Sequence, residues 1–135
     1  YDYYLLNDLA KEINLDEDID FEADFIVAKD NDKIIGVVGY NMKNQYPQLE
    51  HIIITKKYQH TRLGVTLLLA MEKLLKDNGY DSYVSYILNK NKHMQDYAAH
   101  WGMMEYNQIS DGKWYFKKLK SGVKNEKMEN RLVSI

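Results

Sequence analysis

The spacing of apolar residues alternates along the chain between helical and strand-like segments. Tyr3, Tyr4, Leu6, Leu9, Ala10 and Ile13 recur at helical spacing and predict a first helix over residues 2–13. An acidic loop, residues 16–24, separates it from two β-strands at 25–28 and 33–40, whose connection Asp30-Asn31-Asp32 has the composition of a hairpin turn. Pro47 precedes a third strand at 49–55. Leu63, Leu67, Ala70, Met71 and Leu74 mark a long helix over 62–77, and Asn78-Gly79 supplies its stop. A Tyr- and Val-rich strand covers 81–88, and a shorter helix over 92–101 ends at Gly102. Two last strands, 104–109 and 113–119, turn at Ser110-Asp111-Gly112. A helix lies between the strands at 49–55 and 81–88, which predicts that those two run parallel. The order is an α/β layout, with helices over a mixed sheet.

Composition narrows the function. The 135 residues are enough for one domain with a real core, and residues 1–119 read as that domain. From Lys120 the chain is rich in Lys, Glu and Asn, a polar C-terminal tail (120–135) that is either a short extra helix or disordered. A formal charge of −2 offers no general attraction to nucleic acid or a membrane surface. The absence of cysteine excludes disulfides, thiolate metal sites and a Cys nucleophile. The most apolar run, residues 65–71, is too short to cross a bilayer, and no basic-then-apolar leader opens the chain, so a cytoplasmic location is expected. The chain opens at Tyr1 rather than Met, which fits the trimming of a preceding segment. No metal is expected. His51, His60, His93 and His100 lack the i, i+4 pairing of ligands, and Asp16-Glu17-Asp18-Ile19-Asp20 would be a calcium loop only without Phe21 and Val27 at its glycine and bidentate positions.

Chemistry concentrates between the third strand and the long helix. Tyr58-Gln59-His60-Thr61-Arg62-Leu63-Gly64 places backbone N–H groups ahead of a helix N-terminus, where they can converge on an anion such as phosphate. By itself the segment reads better as a plain strand-to-helix turn. Two further segments stand beside it: Leu49-Glu50-His51-Ile52-Ile53-Ile54, an acidic residue before an apolar run, and the stretch from Asn89 through Asn91, Tyr97 and Ala98 to Gly102-Met103.

Together the three resemble the GNAT N-acetyltransferase superfamily, and the resemblance extends over residues 25–119. In the family's cofactor signature, Gln/Arg-x-x-Gly-x-Gly/Ala, Gln59 and Gly64 match while Arg62 replaces the first glycine. The resemblance implies a GNAT-like mixed twisted sheet with flanking helices. The family's first strand would precede Tyr1, as in a trimmed chain or a divergent member. It also implies acetyl-CoA, its pyrophosphate held by Gln59, His60, Thr61, Arg62, Leu63, Gly64 and Val65. The pantetheine arm would pair with the backbone of Ile52, Ile53 and Ile54, and Asn91 would contact the cofactor. If the Arg62 backbone had to be left-handed, the cost would be about 1–2 kcal/mol, which a guanidinium–phosphate contact could recover.

Amide formation needs a deprotonated amine, because an ammonium has no lone pair. Glu50 is the candidate base, directly or through water, against the alternative of a solvated strand-edge carboxylate. His51 should point to the opposite face unless a bulge re-aims it. A backbone N–H near Ile53 could polarise the thioester carbonyl. Alignment on Gly102 puts Ala98 where the family has the tyrosine that protonates the leaving thiolate. Tyr97 is adjacent but turned by about 100° and matches the family's packing aromatic; it is otherwise the candidate to reach the sulfur, and water can also protonate the thiolate. Tyr3, Tyr40, Tyr83 and Tyr86 read as core and pocket walls.

The implied activity is acetyl transfer from acetyl-CoA to the primary amine of a small molecule or protein. The acidic loop at 16–24 would either attract a cationic acceptor or stand solvated. Arg62, Ala98 and the missing strand favour an alternative, a degenerate domain that binds acyl-CoA or a partner without turnover. A nucleic-acid acceptor would be a third reading, but no broad basic patch supports it. No nucleic-acid or membrane partner is expected, and a homodimer is compatible with such a domain.

Overall fold

The computed structural model describes residues 23–119, so the predicted first helix, residues 16–22 of the acidic loop and the polar tail lie outside the described residues. Six strands and two α-helices alternate: β1 (Asp24–Asp30), β2 (Lys33–Asn41), β3 (Gln48–Ile54), α1 (Leu63–Asp77), β4 (Ser82–Leu88), α2 (Lys92–His100), β5 (Met104–Ile109) and β6 (Gly112–Lys118). These are the expected elements of an α/β chain, with one addition, a 3₁₀ turn at Lys56–Tyr58. They fall into two compact units whose boundary follows Lys73, within α1.

In the first unit β2 pairs antiparallel with both β1 and β3. The β1–β2 connection is tight, with Asn31 left-handed at φ 56°, a conformation its short polar side chain tolerates. Val37 and Val38 of β2 and Ile53 of β3 are fully buried. Gly36 sets how closely α1 approaches β2. A Cβ there would come 2.9 Å from Ile54 Cδ1 and 3.1 Å from methyl groups of Leu63 and Leu67. The buried stripe of α1 is Leu67, Leu68, Met71 and Leu75, and full burial of Leu68 or Met71 contributes about 1.5–3 kcal/mol each. Ala70 and Leu74, counted on the predicted apolar face, are exposed. With 3.6 residues per turn, the stripe from Leu68 through Met71 to Leu75, flanked by the buried Leu67 and Glu72, leaves Ala70 and Leu74 outside.

In the second unit β6 lies between β4 and β5, antiparallel to both. Tyr83 is fully buried on β4, and its hydroxyl accepts from Trp101 Nε1 at 3.0 Å. Lys117 Nζ sits 4.1 Å from the centroid of the Trp101 ring, a cation–π contact that fastens the end of α2 to β6. The glycines predicted as helix stops do that work through backbone conformation. Gly79 and Gly102 both have φ 88°, and the following N–H groups of Tyr80 and Met103 return to Leu75 and Ala98 carbonyls at 3.0 and 2.9 Å. The Tyr86 hydroxyl donates to Asp111 at the β5–β6 turn, and that bond pushes the tyrosine up to about 12.

Candidate active site

The loop between β3 and α1 is built from local hydrogen bonds. Thr55 N–H donates to Ile35 O at 3.0 Å and carries the β2–β3 ladder one step beyond β3. The 3₁₀ turn follows, and then Thr61 N–H returns to Tyr58 O at 3.3 Å across Gln59 (φ −65°, ψ 149°) and His60 (φ 65°). Those angles are a type II turn, whose third position favours glycine. The left-handed conformation considered for Arg62 falls elsewhere. The left-handed residue is His60, and Arg62 has no positive φ. The strain of the loop, about 1–2 kcal/mol, therefore falls two residues before the position where the family has its first glycine.

Arg62 instead caps the helix with its carbonyl, which accepts from Thr66 N–H at 2.9 Å. Thr61 Oγ1 accepts from Leu63 N–H at 3.3 Å. The next N–H groups, of Gly64 and Val65, find no acceptor among the described residues. Between Glu50 and Glu72 the sequence has no carboxylate, whereas Lys56, Lys57, His60 and Arg62 all lie in the loop and are exposed. A helix start with unsatisfied donors and a cationic approach suits a phosphate group. Gln59 Nε2 is turned back to donate to Ile54 O at 3.0 Å. The Tyr58 hydroxyl donates to Asp30 Oδ2 at 2.7 Å, tying the loop to the β1–β2 turn, and that bond raises the tyrosine above its ordinary value.

On β3 the antiparallel alternation separates the three isoleucines. Thr55 bonds to Ile35, so Ile53, opposite Val37, also faces β2, and Ile52 and Ile54 turn their N–H and C=O groups away from it. The N–H near Ile53 considered for polarising a carbonyl is thus committed to the ladder. Ile52 and Ile54 retain the orientation a pairing ligand needs, although the Ile54 carbonyl already accepts from Gln59 Nε2. His51 is buried with its ring stacked on Phe25, centroids 6.4 Å apart. Opposite Gly39-Tyr40 the register skips one β3 residue, Glu50, which is the extra residue of a β-bulge. Glu50 Oε1 accepts from Nδ2 of Asn41, a buried residue the sequence reading did not single out. A polar residue closing an otherwise apolar strand, Lys33–Asn41, was the available signal.

Asn91 and Tyr97 belong to α2, in the second unit. Asn91 is the helix N-cap, its Oδ1 accepting from Met94 N–H at 3.1 Å, which leaves its NH₂ for a ligand. Gln95 Nε2 donates to the carbonyls of Leu88 and Asn89 at 3.1 and 3.0 Å and seals the end of β4. Ala98 is buried. The Tyr97 hydroxyl is buried without a hydrogen-bond partner among the described residues, and that burial raises its pKa. It therefore stays protonated and gives up a proton less readily than an ordinary tyrosine. Among the described residues no group of three or more His, Cys, Asp and Glu could hold a metal ion, and no helix is long and apolar enough to cross a membrane.

The family model described as acetyltransferase (GNAT) family matches residues 2–103. The chain belongs to this family. It is 28% identical over 68 residues to YjcF of Bacillus subtilis, described as an uncharacterized N-acetyltransferase. That match takes in 50% of this chain and 49% of YjcF, so it spans about half the length of the curated relative. The PaiA N-acetyltransferase of Thermoplasma acidophilum, solved in complex with coenzyme A, superposes with a TM-score of 0.66 at 23% identity over 86% of this chain and 70% of that one. A protein of Desulfovibrio desulfuricans assigned to the GNAT acetyltransferases superposes with a TM-score of 0.76 at 14% identity, over 88% and 93% of the two chains. At these identities the two structures establish the fold.

Proposed function

We propose that the chain is an acetyl-CoA-dependent N-acetyltransferase that moves an acetyl group to a primary amine by direct attack on the thioester. The observation that carries the proposal is the start of α1. There the Gly64 and Val65 N–H groups meet no acceptor among the described residues, in a loop bearing Lys56, Lys57, His60 and Arg62 and no carboxylate. The pyrophosphate sits against Gln59 to Val65, the pantetheine arm along Ile52 and Ile54, and Asn91 offers its NH₂. Residues 1–119 act as one domain, in the cytoplasm, on a small molecule or protein that presents the amine.

Acetyl-CoA supplies the activated acyl group and a thiol as leaving group. Glu50 accepts the proton of the incoming ammonium, directly or through water, and frees the lone pair that forms the C–N bond. As the C–S bond breaks, the thiolate takes a proton from Tyr97 or from water, and the new amide nitrogen gives up its second proton to the phenolate or hydroxide so formed. A step assisted by a general base typically gains about 10²–10⁴-fold.

Calorimetric titration with acetyl-CoA tests the placement. The wild type should bind at micromolar strength, and Gly64→Trp, which puts an indole into the phosphate position, should weaken binding by at least about 100-fold. No binding at millimolar acetyl-CoA would sink the acetyltransferase reading. A second reading has its own support. Ala98 is buried where the family has its tyrosine, and the Tyr97 hydroxyl is shut away from any partner among the described residues. That favours a domain that binds acyl-CoA, or a protein partner, without turnover. Thiol release in the presence of primary amines separates the two, since only the first reading produces it.

A further inference from the structure

Asn41 closes β2 with a side chain that is only 6% exposed, and both ends of its amide are engaged. Lys43 N–H donates to Oδ1 at 3.2 Å, and Nδ2 donates to Glu50 Oε1 across nine residues of sequence. A backbone N–H can only donate, so the atom facing Lys43 is the carbonyl oxygen, and the planar amide then aims its NH₂ at Glu50. A carboxylate receives that donor best in its ionised form. Glu50 itself is the extra residue of the β3 bulge, whose backbone lacks the register partner that would hold an ordinary strand residue.

We propose that Asn41 is a positioning residue for acetyl transfer: braced by the Lys43 N–H, its NH₂ fixes the Glu50 carboxylate in place and in the form that accepts a proton. The inference rests on the reading of Glu50 as the base. Asp24 of β1 lies opposite Tyr40, Glu72 is buried on α1, and three more titratable groups are neighbours in sequence or register. His51, next on β3, has its ring on Phe25. Tyr40 stands opposite Leu49, and Lys43 follows β2 in the loop.

The test is a ¹³C NMR titration of Glu50 in the full chain, with its signal identified by its loss in Glu50→Gln. It is run beside the pH profile of thiol release from acetyl-CoA with n-butylamine. Asn41→Asp keeps the oxygen that meets Lys43 N–H and replaces the donor to Glu50 with a second carboxyl. The Glu50 titration should move up by about one pH unit or more, and the acid limb of the rate profile should move with it. Asn41→Ser, too short to reach Glu50, should shift both the same way by less, and it carries the test if the aspartate variant does not fold. A Glu50 titration unchanged in the folded variants overturns the positioning role. A titration that moves while the acid limb stays in place upholds the positioning role and overturns Glu50 as the base.

Discussion

Two helices of this chain begin in different ways. At α2 Asn91 caps Met94 N–H and Gln95 ties the helix to the carbonyls at the end of β4, while the N–H groups of Lys92 and His93 find no acceptor among the described residues. At α1 the cap is partial. Thr61 reaches only Leu63 N–H, at 3.3 Å, and the donors of Gly64 and Val65 are left without an acceptor among the described residues. Every helix has orphan donors at its start, and a side-chain cap there is worth about 0.5–2 kcal/mol. A helix start that leaves this stabilisation unused, ringed by cations, has the chemistry of an anion receptor. The start of α2, tied to β4 through Gln95, has the chemistry of a structural joint.

The contrast can be erased from the α1 side. Arg62→Asp puts a capping carboxylate at the helix start and removes a cation. We expect acetyl-CoA affinity to fall about 10-fold or more while the melting temperature rises by several degrees, the two moving in opposite directions. Calorimetry and a thermal melt read this directly, and a variant that lost both would show that Arg62 serves the fold instead. From the α2 side, Asn91→Ala should cost about 1 kcal/mol of stability in denaturant unfolding. Asn91→Asp sharpens that result, since it keeps the cap but not the NH₂. Affinity lost with stability retained would mark the NH₂ as a ligand contact. The smallest effect belongs to His60→Gly, which relieves the left-handed strain but adds freedom to the unfolded chain, for a net gain of under about 1 kcal/mol. A loss of stability would mean that the His60 side chain makes a contribution the turn geometry does not reveal.

The elements were legible because their signals are local. Gly79 and Gly102 sit at left-handed helix ends, β3 alternates buried and half-buried residues, and Asn31 turns the first hairpin. The loop between β3 and α1 was legible too, as a polar segment between a strand and a helix. Its internal conformation was not, because no glycine marks the left-handed residue and His60 fills the position a type II turn would give to one. The Glu50 bulge was hidden for a different reason. Register depends on how two strands pair, and Gly39, Tyr40, Leu49 and His51 decide it only once β2 and β3 are side by side. The bonds from Asn41 to Glu50 and from Tyr58 to Asp30 span loops of many residues, beyond the reach of any local pattern.

The Tyr58–Asp30 bond has a consequence for how this chain can vary. Hairpin turns are ordinarily where a fold absorbs insertions and substitutions most freely. Here Asp30, at the end of β1, grips the tyrosine that leads into the anion loop. Lengthening the turn by a residue would pull on the loop from 28 positions away. The hairpin tip thus inherits the constraint of the site it braces, and drift there should be filtered as strictly as drift in the loop itself.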